Sequence, residues 1–501
     1  MAIPTITVDV GTTGIKLGLF DAQAELLTAA QSPTPTTTDS AGEIYDLPAL
    51  LGVVTRFIKE LPSAQRDLVQ RIAITGVGES GGLVRPDLTL ASPMVLWHDQ
   101  RGAGHLASLT AEQRSLIYRV TGLPVSGNYG LSKVAWAIEQ LRGTSHSRDI
   151  GQPVDVVCGA QWLNIAEYLA AVMTGQRWSE PSLASRTMAL DLSTGTWSSE
   201  VCALLDVDTG VFPPLRPATD GVTVTHEFAA AVGIDTIVRV HVAGHDHMVG
   251  AVGAGLQPGE LLNSTGTTEG LLFLRGAPSL DVRAEHAKLA NGLACADSGP
   301  GADYTLFASI PTGGSAFATL RSILDIDAAR LTGCLVDLHD RYLRDQLDLA
   351  AVPLVLPQFR GSPPPAKNTA ARGIISGLSS QTSAAEIVFG CFLGLVLQFL
   401  EVLELFDLQP DRIKVIGPAS RNPLWLQLKA DLLGTPLAVS RFPEVVSRGA
   451  QALASGGADG ADQWARTDPY EVAVDAARHA RLTEWRADIG RQWAYLKGLP
   501  S

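Results

Sequence analysis

The stretch Thr5-Ile-Thr-Val-Asp-Val-Gly-Thr-Thr-Gly-Ile-Lys-Leu-Gly-Leu-Phe-Asp21 lies at the start of the chain and decides its fold. β-Branched residues flank a Gly-Thr-Thr-Gly turn, and period-2 alternation follows it, which predicts a strand, a tight turn and a second strand. Glycine lets backbone N–H groups approach an anion closely, and each threonine adds a hydroxyl. Asp9 is a charged residue inside the first strand, so we expect it either to stabilise the turn or to face a ligand.

A second stretch, from Gly259 to Phe273, repeats this pattern about half a chain later as Gly-Glu-Leu-Leu-Asn-Ser-Thr-Gly-Thr-Thr-Glu-Gly-Leu-Leu-Phe. One such turn is weak evidence, because hairpins commonly carry Gly-Thr. A matched pair indicates two structurally similar halves that face one another. The repeat therefore predicts an α/β protein in which both turns border one cleft.

The composition limits the class of protein. The chain has 501 residues, with 49 Gly and 29 Pro spread throughout, as in a compact α/β protein with many tight turns. A soft prior of roughly 150 residues per domain gives two to four units. The net charge of −13 argues against a nucleic-acid partner, which would need a basic face. It is compatible with a metal–nucleotide complex, because a metal ion and backbone amides can hold the phosphates.

Nothing in the sequence indicates export or a membrane. No signal peptide is visible before the first strand, and the five scattered cysteines form no CxxC pair, so we expect reduced thiols and a cytoplasmic location. The most apolar stretch, from Ile387 to Leu405, is broken by Gln398, Glu401 and Glu404. A buried core helix is therefore expected there, not a membrane span.

Periodicity and turn residues predict further elements along the chain. The predicted helices cover 47–61, 383–406, 424–433, a helix starting within 443–454, and a charged amphipathic helix or helix pair over 470–496; the predicted strands cover 71–77, 236–242 and 412–416, and the predicted loops cover 32–39 and 353–373.

Asp246 is the first candidate catalytic residue. It follows a predicted strand in Ala243-Gly-His-Asp-His-Met248, and α/β proteins place reactive groups where a strand leads into a helix. Phosphoryl transfer to an alcohol needs a carboxylate that takes the hydroxyl proton. Asp is also a good helix N-cap, so the spacing alone leaves both roles open. We expect the flanking His245 and His247 to support the site and not to bind metal.

Trp97-His-Asp-Gln-Arg101 is a candidate polyol-binding cluster. The carboxylate of Asp99 and the guanidinium of Arg101 suit hydroxyl groups, and the indole of Trp97 suits an apolar sugar face. A salt-bridged strand end is the alternative interpretation. Glu79 and Ser80, on a glycine-rich turn, are expected to join the same cleft.

Together these motifs resemble the FGGY carbohydrate kinase family, which includes glycerol kinase, xylulokinase and gluconokinase. The resemblance extends in order over nearly the whole chain, through Asp9–Lys16, Trp97–Arg101, Leu131–Trp136, Ala184–Thr187, Gly244–Asp246, Gly266–Thr268, Gly417–Gly434 and Glu444–Ala450. It implies two ribonuclease-H-like domains of the actin–hexokinase–Hsp70 superfamily that face each other across a nucleotide cleft. Residues 1–250 would form the sugar-binding side and residues 251–501 the nucleotide-binding side.

The resemblance also implies roles for individual residues, with ATP and Mg²⁺ as cofactors. Asp246 would be the general base and would lie with Asp9 near Mg²⁺. The nucleotide would contact Gly11, Thr12, Thr13, Lys16, Gly266 and Thr267 through its phosphates and Gly314, Gly417 and Asn422 through its nucleoside. The sugar would contact Glu79, Ser80, Trp97, Asp99, Arg101 and Asp246.

Two departures from the family pattern leave the substrate open. Pro418 stands where the adenosine segment usually has a second glycine, and Gly78 stands where glycerol kinases carry an arginine. The expected acceptor is therefore a ketopentose, an alditol or an aldonate. The alternatives are a catalytically weak family member and an actin- or Hsp70-like nucleotide switch. A homodimer is expected by analogy alone.

Overall fold

A six-stranded sheet forms the core of the N-terminal half of the protein, seen here in a computed structural model that describes residues 2–145, 157, 159–295, 303–457 and 460–499. Its strands are β1 (Thr5–Val10), β2 (Gly14–Phe20), β3 (Leu26–Pro33), β4 (Arg71–Gly76), β5 (Val222–Thr223) and β6 (Arg239–His245), in the spatial order β5-β6-β4-β1-β2-β3. Strands β1 to β3 form an antiparallel meander, whereas β4 and β6 run parallel to β1.

A seven-stranded sheet repeats this plan in the C-terminal half. Its strands are β7 (Glu260–Thr265), β8 (Glu269–Arg275), β9 (Ala290–Leu293), β10 (Tyr304–Ile310), β11 (Arg412–Ile416), β12 (Leu437–Ser440) and β13 (Pro469–Val472), in the spatial order β9-β10-β8-β7-β11-β12-β13. Strands β7, β8 and β10 form the antiparallel part, and β11 and β12 run parallel to β7. The predicted pair of similar α/β halves is confirmed.

Helices and short hairpins surround the two sheets. The α-helices are Leu47–Glu60, Ser63–Arg66, Ala111–Thr121, Gly130–Ser145, Ile165–Thr174, Pro181–Ala184, Ser199–Ala203, His226–Val232, Asp246–Gly253, Val282–His286, Ser315–Leu324, Ala328–Leu343, Ala384–Leu405, Pro423–Leu433, Val445–Ala454, Gly460–Ala465 and Ala476–Lys497. The 3₁₀ turns are Ala103–Leu106, Thr209–Val211 and Pro418–Arg421, and the hairpin strands outside the main sheets are Thr36–Thr38, Glu43–Tyr45, Gly82–Val84, Gln161–Leu163, Leu190–Asp191, Thr196–Trp197, Leu354–Leu356 and Ile374–Ser376.

Some predicted elements are wrong at the sheet edges. The loop predicted over 32–39 is the end of β3 followed by the hairpin strand Thr36–Thr38, because threonine favours strands and proline is tolerated at an edge. The tail predicted as helical from residue 470 begins instead with the edge strand β13. The loop predicted over 353–373 contains the short strand Leu354–Leu356.

Ala384–Leu405 is, among the residues that the structure describes, the one helix long and apolar enough to cross a membrane. However, 78% of its most apolar window is buried inside the protein. Its side chains pack in a hydrophobic cluster with those of Leu354, Trp425 and Trp485. In this fold it is a core helix, and its glycine and glutamine residues are consistent with that position.

Two helices cross at the base of the cleft and join the halves. The Asp246 helix (Asp246–Gly253) follows β6 but contacts β7 and β8, whereas the Val445 helix (Val445–Ala454) follows β12 but contacts β1 and β4. A Cβ atom on Gly449 would overlap the carbonyl oxygen of Val249, so only glycine permits the approach. The domain limit predicted between residues 250 and 251 falls inside the Asp246 helix.

Candidate active site

Asp246 lies where β6 turns into its helix. The register of β6 shifts at Gly244, whose φ of +126° and close approach to Ser182 Oγ leave no room for a side chain. His245 is the N-cap residue, so Asp246 is the first helical residue and not the cap. Its side chain keeps 24% of its surface exposed. The carboxylate is therefore fixed by the backbone yet open to a ligand.

The surroundings of Asp246 bring its protonation change into the neutral range. Burial, followed by the charge of Glu79, raises the pKa of Asp246 to about 7, although the His247 N–H and Arg186 oppose the shift. A general base works best when its pKa lies near the working pH. The carboxyl group can thus accept a proton at neutral pH.

The two flanking histidines are neutral and engaged with protein groups. Nδ1 of His245 lies 2.7 Å from Met248 Sδ, and burial holds the pKa of this ring well below its ordinary value. Nδ1 of His247 lies 2.8 Å from Ser264 Oγ, at the end of β7, and burial lowers its pKa to about 4. His247 thus ties the Asp246 helix to the strand that leads into the second Gly-Thr-Thr turn.

Asp9 is the penultimate residue of β1, two positions before Gly11 of the first Gly-Thr-Thr turn, and is 7% exposed. Its Oδ1 atom is buried without a hydrogen-bond partner. Burial, followed by repulsion from Asp246, raises the pKa of Asp9 to about 7, while Lys16 lowers it. The carboxylates of Asp9 and Asp246 therefore lie close enough for their charges to interact.

This pair of carboxylates fits Mg²⁺ held together with phosphates. Among the described residues, no group of three or more His, Cys, Asp or Glu side chains forms a metal cage. Mg²⁺ commonly binds one or two carboxylates plus substrate phosphates and waters. A buried, unpartnered Oδ1 on Asp9 is the kind of donor that such a cation would use.

The first Gly-Thr-Thr turn is connected to both sides of the cleft. The Gly11 N–H donates to Gly14 O at 3.1 Å and closes the turn. Thr12 Oγ1 accepts the indole N–H of Trp97 at 3.0 Å, and Thr13 is exposed. Lys16 forms an ion pair with Glu444, 3.1 Å away, which directly precedes the Val445 helix.

The second turn brings together residues that are far apart in sequence. The Gly314 N–H donates to Gly266 O at 2.8 Å, and the Gly313 N–H donates to Thr267 O at 3.1 Å. Gly314 caps the helix Ser315–Leu324. A Cβ on Gly417 would lie 2.7 Å from Thr265 O, so β11 ends directly against this turn.

Pro418 and Asn422 frame the segment after β11. Pro418 opens a 3₁₀ turn, where its missing N–H leaves no helical bond unmade. Asn422 Oδ1 caps the helix Pro423–Leu433, and its Nδ2 is buried without a partner. Asn422 therefore retains a free donor in the segment that the family resemblance associates with the nucleoside.

Ion pairs occupy much of the predicted sugar cluster. Arg101 Nε donates to Asp99 at 2.9 Å, and its Nη1 donates to Asp39 at 2.8 Å. Ser80 is buried, with Oγ directed to the Val77 carbonyl and its own carbonyl accepting from Asn164. These ion pairs are those of the salt-bridged alternative, but the segment that carries Asp99 and Arg101 is a turn and not the end of a strand. Ser80 likewise lies within the turn and is not exposed.

Glu79 and Trp97 are supported by two residues to which the sequence assigned no role. Arg186 donates to Glu79 Oε1 through Nε at 2.9 Å and Nη2 at 2.6 Å. Buried Lys133 donates to the carbonyls of Glu79, Leu96 and Trp97 at 2.7, 3.0 and 2.9 Å. Burial lowers the pKa of Lys133 to about 7, whereas three acceptors favour the ammonium form. Lys133 and Arg186 lie in the family motif segments Leu131–Trp136 and Ala184–Thr187. Nothing else in the sequence indicates their roles.

The chain is similar to known proteins over nearly its whole length. The model of the FGGY family of carbohydrate kinases, N-terminal domain, matches residues 5–253, and that of the C-terminal domain matches residues 261–458. Glycerol kinase from Bordetella parapertussis is 26% identical over 523 residues, covering 98% of this chain and 97% of its own. Gluconate kinase from Lactobacillus acidophilus shares the fold with a TM-score of 0.84 at 18% identity, covering 99% of both chains. Plasmodium falciparum glycerol kinase with ADP gives 0.82 at 18%, covering 98% of both. The chain belongs to the FGGY family of carbohydrate kinases, and it is an ATP-dependent phosphotransferase.

Proposed function

We propose that the chain transfers the γ-phosphoryl group of Mg-ATP to a hydroxyl of a small sugar or polyol, with Asp246 as the general base. The observation that carries this proposal is the placement of Asp246. Its charge acts on Asp9 beside the first turn, and the adjacent His247 contacts Ser264, which leads into the second. A carboxylate between two phosphate turns can reach both an acceptor hydroxyl and the transferred group.

Different residues of the chain have different roles in the proposed reaction. Bound Mg-ATP supplies the phosphoryl group and neutralises charge that develops on it. Asp246 accepts the hydroxyl proton, while Asp9 holds the metal. Backbone N–H groups of the turns at Gly11 and Gly266 hold the phosphates. Closure of the two domains would exclude water from the reacting groups.

Glu79 and Trp97 are the proposed sugar contacts, because Lys133 binds the carbonyl groups of both residues and the charge of Glu79 acts on Asp246. The indole of Trp97 lies against the first turn through its bond to Thr12. This links the sugar side of the cleft to the phosphate side. Asp99 and Arg101 are proposed to support the site indirectly, by holding the turn that carries Trp97.

Ketopentoses, alditols and aldonates remain the proposed acceptors, a range that covers the gluconate of one structural neighbour. The residue at position 78 argues against glycerol as the acceptor. This chain has Gly78, whereas the resemblance places an arginine there in glycerol kinases. A Cβ on Gly78 would overlap the His245 ring and lie 2.9 Å from Arg186 Cγ. No longer side chain fits there unless both the His245 ring and Arg186 move. The sugar side of the cleft therefore differs from that of the glycerol kinases.

A panel of ketopentoses, alditols and aldonates, assayed for ADP release from Mg-ATP, tests the proposal. One acceptor class should raise ADP release far above the slow basal hydrolysis. ADP release that stays at the basal rate with every compound would favour a nucleotide switch or a catalytically weak family member.

A further inference from the structure

A buried ion pair adjoins the second Gly-Thr-Thr turn. Glu269 is the first residue of β8 and directly follows Thr268 of that turn. Its partner, Lys429, lies on the helix Pro423–Leu433. The Lys429 ammonium group donates to Glu269 Oε1, and the two side chains are 1% and 0% exposed. The same group donates to Asn263 Oδ1, on β7, at 2.7 Å. One cation thus holds both strands that flank the turn.

The surroundings of this pair are apolar and leave one of its oxygens unused. The Lys429 ammonium group lies 4.1 Å from the ring centroid of Phe399 and 4.9 Å from that of Trp425. Glu269 Oε2 is buried without a hydrogen-bond partner among the described residues. Taking two charges out of water is costly, and apolar side chains of similar volume often replace such a pair without loss of stability. The stability of the fold alone therefore does not account for the pair.

The internal repeat provides a comparison with the first Gly-Thr-Thr turn. Gly14 follows the first turn at the position that Glu269 takes after the second. Glycine has no side chain that could pair with a cation, and the nearby Lys16 pairs with Glu444 instead. The buried pair therefore serves a need of the second turn that the first turn does not share.

The helix that carries Lys429 begins at the segment associated with the nucleoside. Asn422 is its N-cap residue, and Asn422 Oδ1 accepts the Trp425 N–H at 3.4 Å. Lys429 lies about two helical turns further along, which is roughly 10 Å of helix axis. A short helix is a stiff connection. The ion pair therefore links Asn422, at one end of this helix, to the second Gly-Thr-Thr turn.

We propose that Lys429 and Glu269 are positioning residues, which set the spacing between the second Gly-Thr-Thr turn and the nucleoside segment at Asn422. Because both side chains are buried, they act on the nucleotide through the backbone of the turn and through the helix. Groups that contact a ligand bind it well only when a supporting layer of contacts fixes their geometry. The inference rests on the proposed function, which assigns the turn to the phosphates, and adds two residues to the nucleotide site.

Replacement of the pair by apolar side chains separates positioning from stability. Lys429→Met alone leaves the Glu269 carboxylate buried and unpaired, so it should lower the thermal unfolding midpoint strongly. The double variant Lys429→Met/Glu269→Leu removes both charges and should recover most of that loss. Its Kd for Mg-ADP, measured by isothermal titration calorimetry, should still be about 10- to 100-fold higher than that of the wild type, the value of one lost hydrogen bond to a charged phosphate.

A milder variant, a second ligand and a second ion pair complete the test. Glu269→Asp keeps both charges and shortens the carboxylate by one methylene, so it should raise the Kd for Mg-ADP while the protein stays folded. Adenosine carries no phosphate, and its Kd should be the same in all variants. The matched control is Lys414→Met/Glu260→Leu. This pair, with Nζ 2.7 Å from Oε2, lies at the opposite end of β7 from Gly266, and its loss should leave the Kd for Mg-ADP unchanged.

The outcomes separate this inference from the function on which it rests. Folded variants that bind Mg-ADP as tightly as the wild type overturn the inference, because the pair would then serve stability alone. An equal loss of affinity for Mg-ADP and adenosine also overturns it, because the pair would then support the whole pocket. Both results leave the kinase proposal standing, since the acceptor panel tests that proposal. Wild-type protein that binds Mg-ADP no more tightly than adenosine overturns both the inference and the assignment of the turn to the phosphates.

Discussion

Asp9 is a single residue whose environment is unfavourable for the stability of the fold. A buried carboxylate oxygen without a partner is unfavourable in a folded protein, and the nearby Asp246 adds repulsion. Positions that break a local rule in this way tend to serve function. Asp9 is therefore expected to lower stability in the unliganded protein and to regain the difference when metal binds.

Asp9→Asn should separate these two effects. The amide keeps the shape and removes the charge, so the free energy of unfolding should rise by about 1 kcal/mol. Half-maximal activity should need about 10- to 100-fold more Mg²⁺, as for the loss of a metal-ordering group. Thermal unfolding and a Mg²⁺ titration of turnover measure the two. Unchanged Mg²⁺ dependence would contradict the metal assignment.

Glu180 provides a pH-dependent test outside the proposed metal site. Burial raises its pKa from 4.5 to about 8, although N–H groups of Ser182 and Leu183 oppose the shift. A carboxyl with a raised pKa contributes stability that is complete below about pH 4.5 and is lost as the pH rises towards about 8.

Glu180→Gln should remove that dependence. Urea unfolding at about pH 5 and about pH 8 should show that the wild type loses at least about 1 kcal/mol relative to the variant over this range. The nearby Glu167, whose pKa burial raises to about 7, is present in both proteins, so only its charge interaction with Glu180 enters the difference. Parallel pH profiles for the two proteins would show that Glu180 keeps an ordinary pKa in the fold.

At the scale of elements, two strands could be predicted closely, whereas β6, which leads to Asp246, was predicted three residues too early and the sheet edges were wrong. Alternating β-branched residues predicted β1 and β11 almost to the residue. β13 is four residues long and depends on pairing with β12, a tertiary contact that short-range pattern does not reveal.

The same reasoning explains which site residues could be predicted. Asp9 and Asp246 are recognisable because each is a charge at the end of an apolar strand. The role of Lys133 depends on three carbonyl groups that only folding brings together. Asp99 and Arg101 can either pair with each other or bind a ligand, and residue types alone do not decide between the two.

The crossing of the Asp246 and Val445 helices can be tested with a matched pair of glycines. Gly449→Ala should destabilise the protein by about 1–3 kcal/mol, as overpacking does. It should also lower kcat, because the added methyl moves the helix that carries Asp246. Gly490→Ala, at an exposed helix position with open space around it, should stabilise by up to about 1 kcal/mol. Equal effects of the two substitutions on stability and kcat would contradict this packing.

At the scale of the whole molecule, each half contributes a helix to the sheet of the other, so the two sheets are connected through both helices. The ion pair between Lys16 and Glu444 adds a polar contact across the same boundary. Lys16 is proposed to contact the nucleotide phosphates, and in the structure its ammonium group pairs with Glu444. Binding of ATP would therefore compete with this contact.

Glu444→Gln should release Lys16 and tighten ATP binding. The expected decrease in Kd is about two- to fivefold, because partly exposed ion pairs contribute roughly 0–1 kcal/mol. Isothermal titration calorimetry measures the Kd for ATP in the variant and in the control Glu471→Gln, at an exposed position on β13. An unchanged or weaker affinity in Glu444→Gln alone would show that Lys16 does not need to leave Glu444.

Single-turnover phosphorylation of the acceptor by wild-type protein and by Asp246→Asn tests the assignment of the general base most directly. Mass spectrometry of the acceptor after mixing with Mg-ATP follows the transfer itself, and equilibrium titration follows acceptor binding. We expect the Asn variant to bind the acceptor nearly as well and to transfer the phosphoryl group about 10²- to 10⁴-fold more slowly, the range of a lost general base. Transfer at the wild-type rate by Asp246→Asn would contradict the assignment.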